Sequence, residues 1–336
     1  MTPSPASARA AVRRFPPLPD QPEGPGAPRR VGVEIEFGAL SPEEAAHVAA
    51  AALGGTAAQL SAGEWRLEGS ALGDLKIYLD TAFRPEGRDK AAEAGVALAR
   101  QVVPIEIVTG PLAQADLPRA DALAAALAAS GAEGSRAHLL HGFGLHLNVA
   151  LADPQGGRDM PRIARAFALL EPWLRARDPL DMSRRVLPFT QPFPAAFADA
   201  VAGLAPGAPP AALFDLIDTH LEHRNHGLDL LPAYAHVAPA RFARHPAAGS
   251  PVSARPAYHF RMPESRVDER GWSLANDWRR WVLVERVAAD EALAARLAEL
   301  RAAAPARPAL FEGQAAVDAV TEALGPLADL APEGGA

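Results

Sequence analysis

The chain contains no cysteine, only two lysines (Lys76 and Lys90), three tyrosines, and no apolar run that approaches the length of a membrane span. Without thiols there are no disulfides, no thiolate zinc sites and no cysteine nucleophile. The longest apolar stretches, such as residues 45–53, are Ala-rich and far short of the ~20 residues a spanning helix needs. Charge comes early at the N-terminus but no apolar leader follows, so the expected compartment is the cytoplasm. Walker-type G-x-x-x-x-G-K-[ST] loops and dinucleotide fingerprints are missing too, since GFG at 142–144 precedes a strand rather than a helix. Acidic residues outnumber basic ones, 40 to 33, for a net charge of −7. Neither a nucleic acid nor a membrane surface is therefore an expected partner. The heavy use of Arg, Ala and Pro reads as coding bias rather than chemistry.

What is present is enough chain, 336 residues, to bury a full core. Residues 1–29 are rich in Pro, Ala, Gly and Arg without apolar periodicity and read as a disordered arm. Residues 30–327 read as one domain with a largely helical middle segment at about 155–250, and residues 328–336 as a frayed tail. Ser41 followed by Glu44 forms a capping box for a helix from Pro42 to Leu53. Strands are expected at 31–37, 64–67, 74–80, 102–110, 141–151 and 257–262. Helices are expected at 117–130, 161–177, 194–203, 210–224 and within 273–303, with a loop and short helix at 85–101. No internal repeat is found, and the fold class is α+β.

The strands share one pattern, in which apolar side chains take one face and reactive ones the other. VGVEIEF, residues 31–37, sets Val31, Val33, Ile35 and Phe37 against Gly32, Glu34 and Glu36. GDLKIYLD sets Leu75, Ile77 and Leu79 against Lys76, Tyr78 and Asp80. Ile105 and Ile107 oppose Glu106; Leu145, Leu147 and Val149 oppose His146 and Asn148; Tyr258, Phe260 and Met262 oppose His259 and Arg261. An antiparallel sheet ordinarily has one solvated face, so a single such strand says little. Here, however, the polar positions hold Glu, Asp, His, Asn and Arg, with no Ser or Thr and only Lys76 from the usual solvated set. In a shared sheet they would line a trough containing Glu34, Glu36, Asp80, Glu106, His146, His259 and Arg261. Converging carboxylates repel, and oxygen ligands with an imidazole suit Mg²⁺ or Mn²⁺, which would supply the missing positive charge.

VGVEIEF, VPIEIVTGPL, GFGLHLNVAL and YHFRMPESR, in that order, resemble the amidoligase family, carboxylate–amine ligases related to glutamine synthetase and gamma-glutamylcysteine ligase. The resemblance runs from about residue 30 to about residue 300. It implies an amidoligase-like catalytic domain built on a curved, mostly antiparallel half-barrel sheet with helices on its outer face, cradling ATP and two or three Mg²⁺. It also implies the reaction: ATP phosphorylates a substrate carboxylate, and an amine displaces phosphate to form an amide. By resemblance Glu34 and Glu36 form an E-x-E shared between neighbouring metals, and Asp80 and Glu106 stand where later strands supply carboxylate ligands. His146 matches the first His of an H-x-H element, and Arg261 matches the Arg of an E-x-R strand that steadies the transferring phosphoryl group. Asn148 stands where a second His is common, and His259 where the E-x-R Glu is expected. The second replacement removes a negative charge, which weakens cation binding and puts one metal in question.

Further expectations are weaker. Arg224 and Asn225, ahead of a Leu-Pro, resemble a family stretch that reaches nucleotide or substrate, although a polar helix end explains them equally well. Lys76 and Asn148 complete the expected cofactor-binding set. Glu36, Arg261 and Arg266 are the expected catalytic residues, Arg266 and Glu264 as contacts to phosphate or amine, with a surface salt bridge as the plain reading of that last pair. Arg184 and Arg185 offer an anion contact from a loop. His220, His223 and His226 recur every three residues without H-E-x-x-H geometry. Trp272, Trp278 and Trp281 read as packing residues. The expected function is an Mg-dependent, ATP-dependent ligase joining a small-molecule or peptide carboxylate to an amine. A metal-dependent hydrolase using the same trough, and a non-catalytic binding protein, are the alternatives.

Overall fold

The computed structural model describes residues 15–19, 28–80, 103–138, 141–186, 190–303 and 313–331. The loop and helix expected at 85–101 lie outside the described residues, as do most of the N-terminal arm and the last five residues. Among the described residues, nine strands form one open antiparallel sheet: β1 (Arg30–Phe37), β2 (Thr56–Ser61), β3 (Glu64–Ser70), β4 (Gly73–Leu79), β5 (Ile105–Thr109), β6 (Leu112–Ala113), β7 (Leu145–Ala150), β8 (Leu228–Asp229) and β9 (Ala257–Phe260). The order across the sheet is β2-β3-β4-β5-β1-β7-β9-β8, with β6 pairing the start of β1.

The helices are α1 (Pro42–Leu53), α2 (Leu117–Ala129), α3 (Met160–Arg177), α4 (Met182–Val186), α5 (Ala195–Ala202), α6 (Pro210–His220), α7 (Leu231–Val237), α8 (Pro239–Phe242), α9 (Leu274–Ala289), α10 (Glu291–Ala303) and α11 (Gln314–Leu324). Among the described residues none is long and apolar enough to cross a membrane. The capping box of α1 is formed: the Ser41 hydroxyl accepts from Glu44 N, and the Glu44 carboxylate accepts from Ser41 N.

Alternation along the strands decides which face meets the helices. Val31, Val33, Ile35 and Phe37 are at most 1 % exposed, and Leu75, Ile77, Ile107, Leu145, Leu147, Val149 and Phe260 join them in the core. Each fully buried side chain of this kind stabilises the fold by roughly 1.5–3 kcal/mol relative to exposure. Helix α1 packs on β3 and β4, while α3 and α9 pack on each other. Trp278 and Trp281 are fully buried and Trp272 packs against the core, so the late tryptophans are indeed packing residues.

Several boundaries move. Strand β2 was not expected; TAAQLS has little apolar alternation, and the strand is a mostly exposed sheet edge. Strand β5 begins only after Pro104, which has no N–H to give a ladder. Helix α6 stops at His220 instead of 224, so the three spaced histidines do not share a helix. Within the segment read as an arm, Leu18 is buried and the Pro16 carbonyl accepts from Trp278 Nε1 at 2.8 Å. The chain is also packed as far as Ala331.

Candidate functional site

Strand β1 lies between β5 and β7, and its register lays out the polar face as three rungs. The first carries Tyr78, Glu106 and Glu36, each directly opposite the next across β4, β5 and β1. The second carries Lys76, Val108, Glu34 and His146. The third carries Gly32, Asn148, His259 and Asp229. Adjacent strands are ~4.8 Å apart, so the register forces residues more than a hundred positions apart into contact. Gly32 leaves room for Asn148, whose Cβ would be 3.3 Å from a Cβ placed there.

Two groups of potential ligands result, Glu36–Glu106–His146 and Glu34–His146–His259, with the ligand atoms of each within 4.8 Å of one another. His146 links them. Its Nδ1 lies 2.9 Å from Glu34 Oε2 and its Nε2 3.9 Å from Glu36 Oε1. Against an ionised Glu34, Nδ1 is the protonated nitrogen, which leaves the Nε2 lone pair turned toward Glu36 and Glu106. The other Glu34 oxygen accepts from Asn148 Nδ2 at 2.7 Å. Glu36 Oε2 accepts from Gly144 N at 2.6 Å, and Glu106 Oε2 accepts from the Tyr78 hydroxyl at 2.5 Å.

The electrostatics separate the three glutamates. Burial and then the charges of Glu34 and Glu36 push the Glu106 carboxyl well above the usual range. Burial also works against the Glu34 charge, but His259, His146 and the hydrogen bonds from His146 and Asn148 outweigh it, and the carboxyl is held well below the usual range. Burial, and then the neighbouring His146, Arg261 and Arg255, push His259 well below its ordinary value despite the opposing pull of Glu34. Burial raises Tyr78, reinforced by Glu106, so it remains a hydrogen-bond donor.

The departures Asn148 and His259 face each other across β7 and β9. The Asn148 Oδ1 lies 2.7 Å from His259 Nδ1 and accepts from Arg255 Nη2 at 2.5 Å. Two further arginines border the site. Arg261 is half-buried near Glu36 and Glu34, and its Nε finds no acceptor among the described residues. Arg184 is buried, donating to the carbonyls of Gly142 and Arg261 at 3.0 and 2.7 Å.

Of the expected residues, Glu34, Glu36, Glu106, His146 and His259 are gathered in the two groups, with Asn148 and Arg261 beside them. Asp80 follows β4 and adds to the negative field at Glu106, but it belongs to neither group. Lys76 is exposed on the second rung, separated from Glu34 by Val108. Arg224 is committed to Asp229 and the Pro251 carbonyl, and the Asn225 carbonyl accepts from Gln191 N. Arg266 turns to Asp178 and Glu269, away from the trough, because its buried guanidinium needs carboxylates of its own. Arg255 carries no strand pattern to mark it; Arg184, expected to offer an anion contact from a loop, lies on α4 and donates to the Gly142 and Arg261 carbonyls. Tyr78 stood in a quoted motif but had no assigned role.

Residues 27–283 match the family described as "Putative amidoligase enzyme". The chain belongs to the amidoligase family. No curated protein and no solved structure matches it. The matched span of this amidoligase contains every member of the two ligand groups, from Glu34 on β1 to His259 on β9.

Proposed function

We propose that this amidoligase is an ATP-dependent carboxylate–amine ligase that works with Mg²⁺ or Mn²⁺. One observation carries the reading: Glu36, Glu106 and the Nε2 of His146 converge, and Glu106 is driven toward protonation by burial and then by the charges of Glu34 and Glu36. Hard carboxylate oxygens with one imidazole suit those cations. The residues therefore fit a divalent ion, held by Glu36, Glu106 and His146. Glu34, with both oxygens already accepting from β7, orients His146 and closes the second group with His259. Bound there, the ion would neutralise phosphate charge and align the triphosphate for transfer.

In the proposed reaction a carboxylate oxygen of the acid substrate attacks the γ-phosphorus of ATP, ADP leaves, and an amine then displaces phosphate from the acyl carbon. Phosphoryl transfer needs positioning and charge neutralisation and no protein nucleophile, which suits a chain without cysteine. The Nε of Arg261, buried with no acceptor among the described residues, has a donor to spare for a phosphoryl oxygen once the side chain shifts toward substrate. Gly144 N and Tyr78 fix the two ligand carboxylates, so their geometry is set before substrate arrives. Because it consumes ATP, the proposed reaction suits a cytoplasmic location.

Incubation with Mg-ATP and a mixed pool of acids and amines, followed by mass spectrometry, tests the reading. Amide product with matching ADP and phosphate, dependent on both substrates, is the expected result. Metal-dependent cleavage without ATP would replace the ligase by a hydrolase, and no Mg-ATP affinity at all would sink it.

A further inference from the structure

Outside the trough, the turn after α2 gathers a second set of metal-ligating side chains, Glu133, His138 and His141, from nine consecutive positions. We propose that these three residues form a separate site for a borderline divalent cation, zinc above all, that ties this turn to the end of β1.

The donor set differs from that of the trough. Two imidazoles and one carboxylate suit zinc, with the remaining position left to water, whereas Mg²⁺ prefers oxygen. Zinc–ligand bonds of ~2.0–2.2 Å in a tetrahedron put ligand atoms roughly 3.4 Å apart. His138 Nε2 and Glu133 Oε2 are already 3.2 Å apart, and the ligand atoms of all three residues lie within 4.8 Å. A small inward movement of side chains closes the set.

The backbone bearing these ligands is pinned on several sides, which lowers the ordering cost of binding. Glu133 exchanges backbone hydrogen bonds with Gly38, at 2.9 and 3.2 Å, just past the end of β1. Gly134 N donates to Asp268 and Ser135 N to the Ser265 carbonyl. The Ser135 hydroxyl donates to the His141 carbonyl, and His141 N donates to the His138 carbonyl. The buried His141 ring stacks on Phe143 with centroids 4.4 Å apart and meets the His138 ring edge-on. Gly38 eases this approach, because a Cβ there would lie 3.1 Å from Phe143 and 3.3 Å from His141, so those rings would have to give way by a few tenths of an ångström. The nearest cation on the turn, Arg136, is engaged by Glu264 and Glu269. His138 and Glu133 keep 63 % and 38 % of their side-chain surface open, which gives an ion a way in.

The location connects this site to the trough. Gly38 lies two residues beyond Glu36, and three residues after His141 the Gly144 N–H holds the Glu36 carboxylate. Occupancy would stiffen both supports of Glu36 without adding a ligand to it.

Equilibrium dialysis against zinc with elemental analysis, on wild type, His138→Ala, Glu133→Gln and the trough variant Glu106→Gln, tests the proposal. His138 is exposed, so its replacement should leave the zinc-free unfolding midpoint unchanged. The expected result is that His138→Ala and Glu133→Gln each lose one equivalent of zinc, while Glu106→Gln retains that equivalent whatever happens in the trough. Zinc should raise the melting temperature of Glu106→Gln more than that of the His138→Ala, Glu106→Gln double variant. Equal zinc binding by wild type and His138→Ala, or no zinc bound by Glu106→Gln, would overturn the proposal and leave a hydrogen-bonded surface pair. These outcomes do not depend on ATP turnover, so they stand or fall apart from the ligase reading.

Discussion

Replacing Glu106 by Gln should separate the cost of the like-charged cluster from its use. Glutamine keeps the shape and an oxygen for the Tyr78 hydroxyl, but removes one of three converging negative charges. In the unfolded chain Glu106 titrates in the ordinary carboxylate range, whereas in the folded, metal-free protein it keeps its proton to higher pH because of burial, Glu34 and Glu36. Between those values the folded state holds a proton that the unfolded state has lost. Metal-free stability therefore falls as pH rises through that window, and the penalty is complete above the folded value. Glu34 acts in the opposite sense, since its depressed folded value gives stability that is lost as pH falls through it. Glu106→Gln should consequently match or exceed wild type in metal-free stability at pH 8 and lack the decline between weakly acidic and alkaline pH.

Magnesium should reverse the order. An ion at one hundred times its dissociation constant stabilises the folded state by about 2.7 kcal/mol. With an unfolding entropy of ~2.1 cal/mol/K per residue, about 0.7 kcal/mol/K for 336 residues, wild type should gain roughly 4 °C in melting temperature, and the variant far less. Differential scanning calorimetry at pH 6 and pH 8, with and without Mg²⁺, measures both effects. A variant that is less stable than wild type without metal at pH 8, yet gains as much from Mg²⁺, would refute the reasoning.

Other substitutions test the supports. Gly144→Ala would place a Cβ 2.4 Å from His146 Nε2 and 2.8 Å from Arg184 Nη1, so it should weaken Mg²⁺ binding by calorimetric titration while leaving the helical circular dichroism intact. Glu36→Gln should lower ATP-dependent amide formation by at least the ~10–100-fold that losing an outer partner of a metal site costs, with an unchanged circular dichroism spectrum taken as the check on folding. Asn148→Ala removes the acceptor of Arg255 and His259 and a donor to Glu34; urea denaturation should show a loss of about 1–3 kcal/mol. Glu285→Ala breaks the buried bidentate pair with Arg29, both contacts 2.7 Å, and should cost about 3–5 kcal/mol by the same assay.

Much of this arrangement was legible because period-two alternation survives in the strands that build the trough. Once Val31, Val33, Ile35 and Phe37 commit to the core, Glu34 and Glu36 have only the opposite face, and the same holds for Glu106, His146 and His259. Alternation fixes a face but not a neighbour. Register decides that Glu36 meets Glu106 while Lys76 is kept from Glu34 by Val108, and register is a property of the whole sheet. Strand β2 escaped because an exposed edge strand needs no apolar face. Arg255 escaped for another reason: it reaches the trough from the irregular SARPA stretch ahead of β9, where nothing local distinguishes a guanidinium that turns inward. Arg266 shows the converse, a well-placed residue drawn elsewhere by Asp178 and Glu269.

Crystals grown with Mn²⁺ and measured at the manganese absorption edge give the most direct test of the convergent carboxylates. An anomalous peak bonded to Glu36, Glu106 and the Nε2 of His146, with Nδ1 of that ring still facing Glu34, is the predicted result. Ordered glutamates in their present places with no manganese between them, at millimolar metal and pH 8, would contradict it.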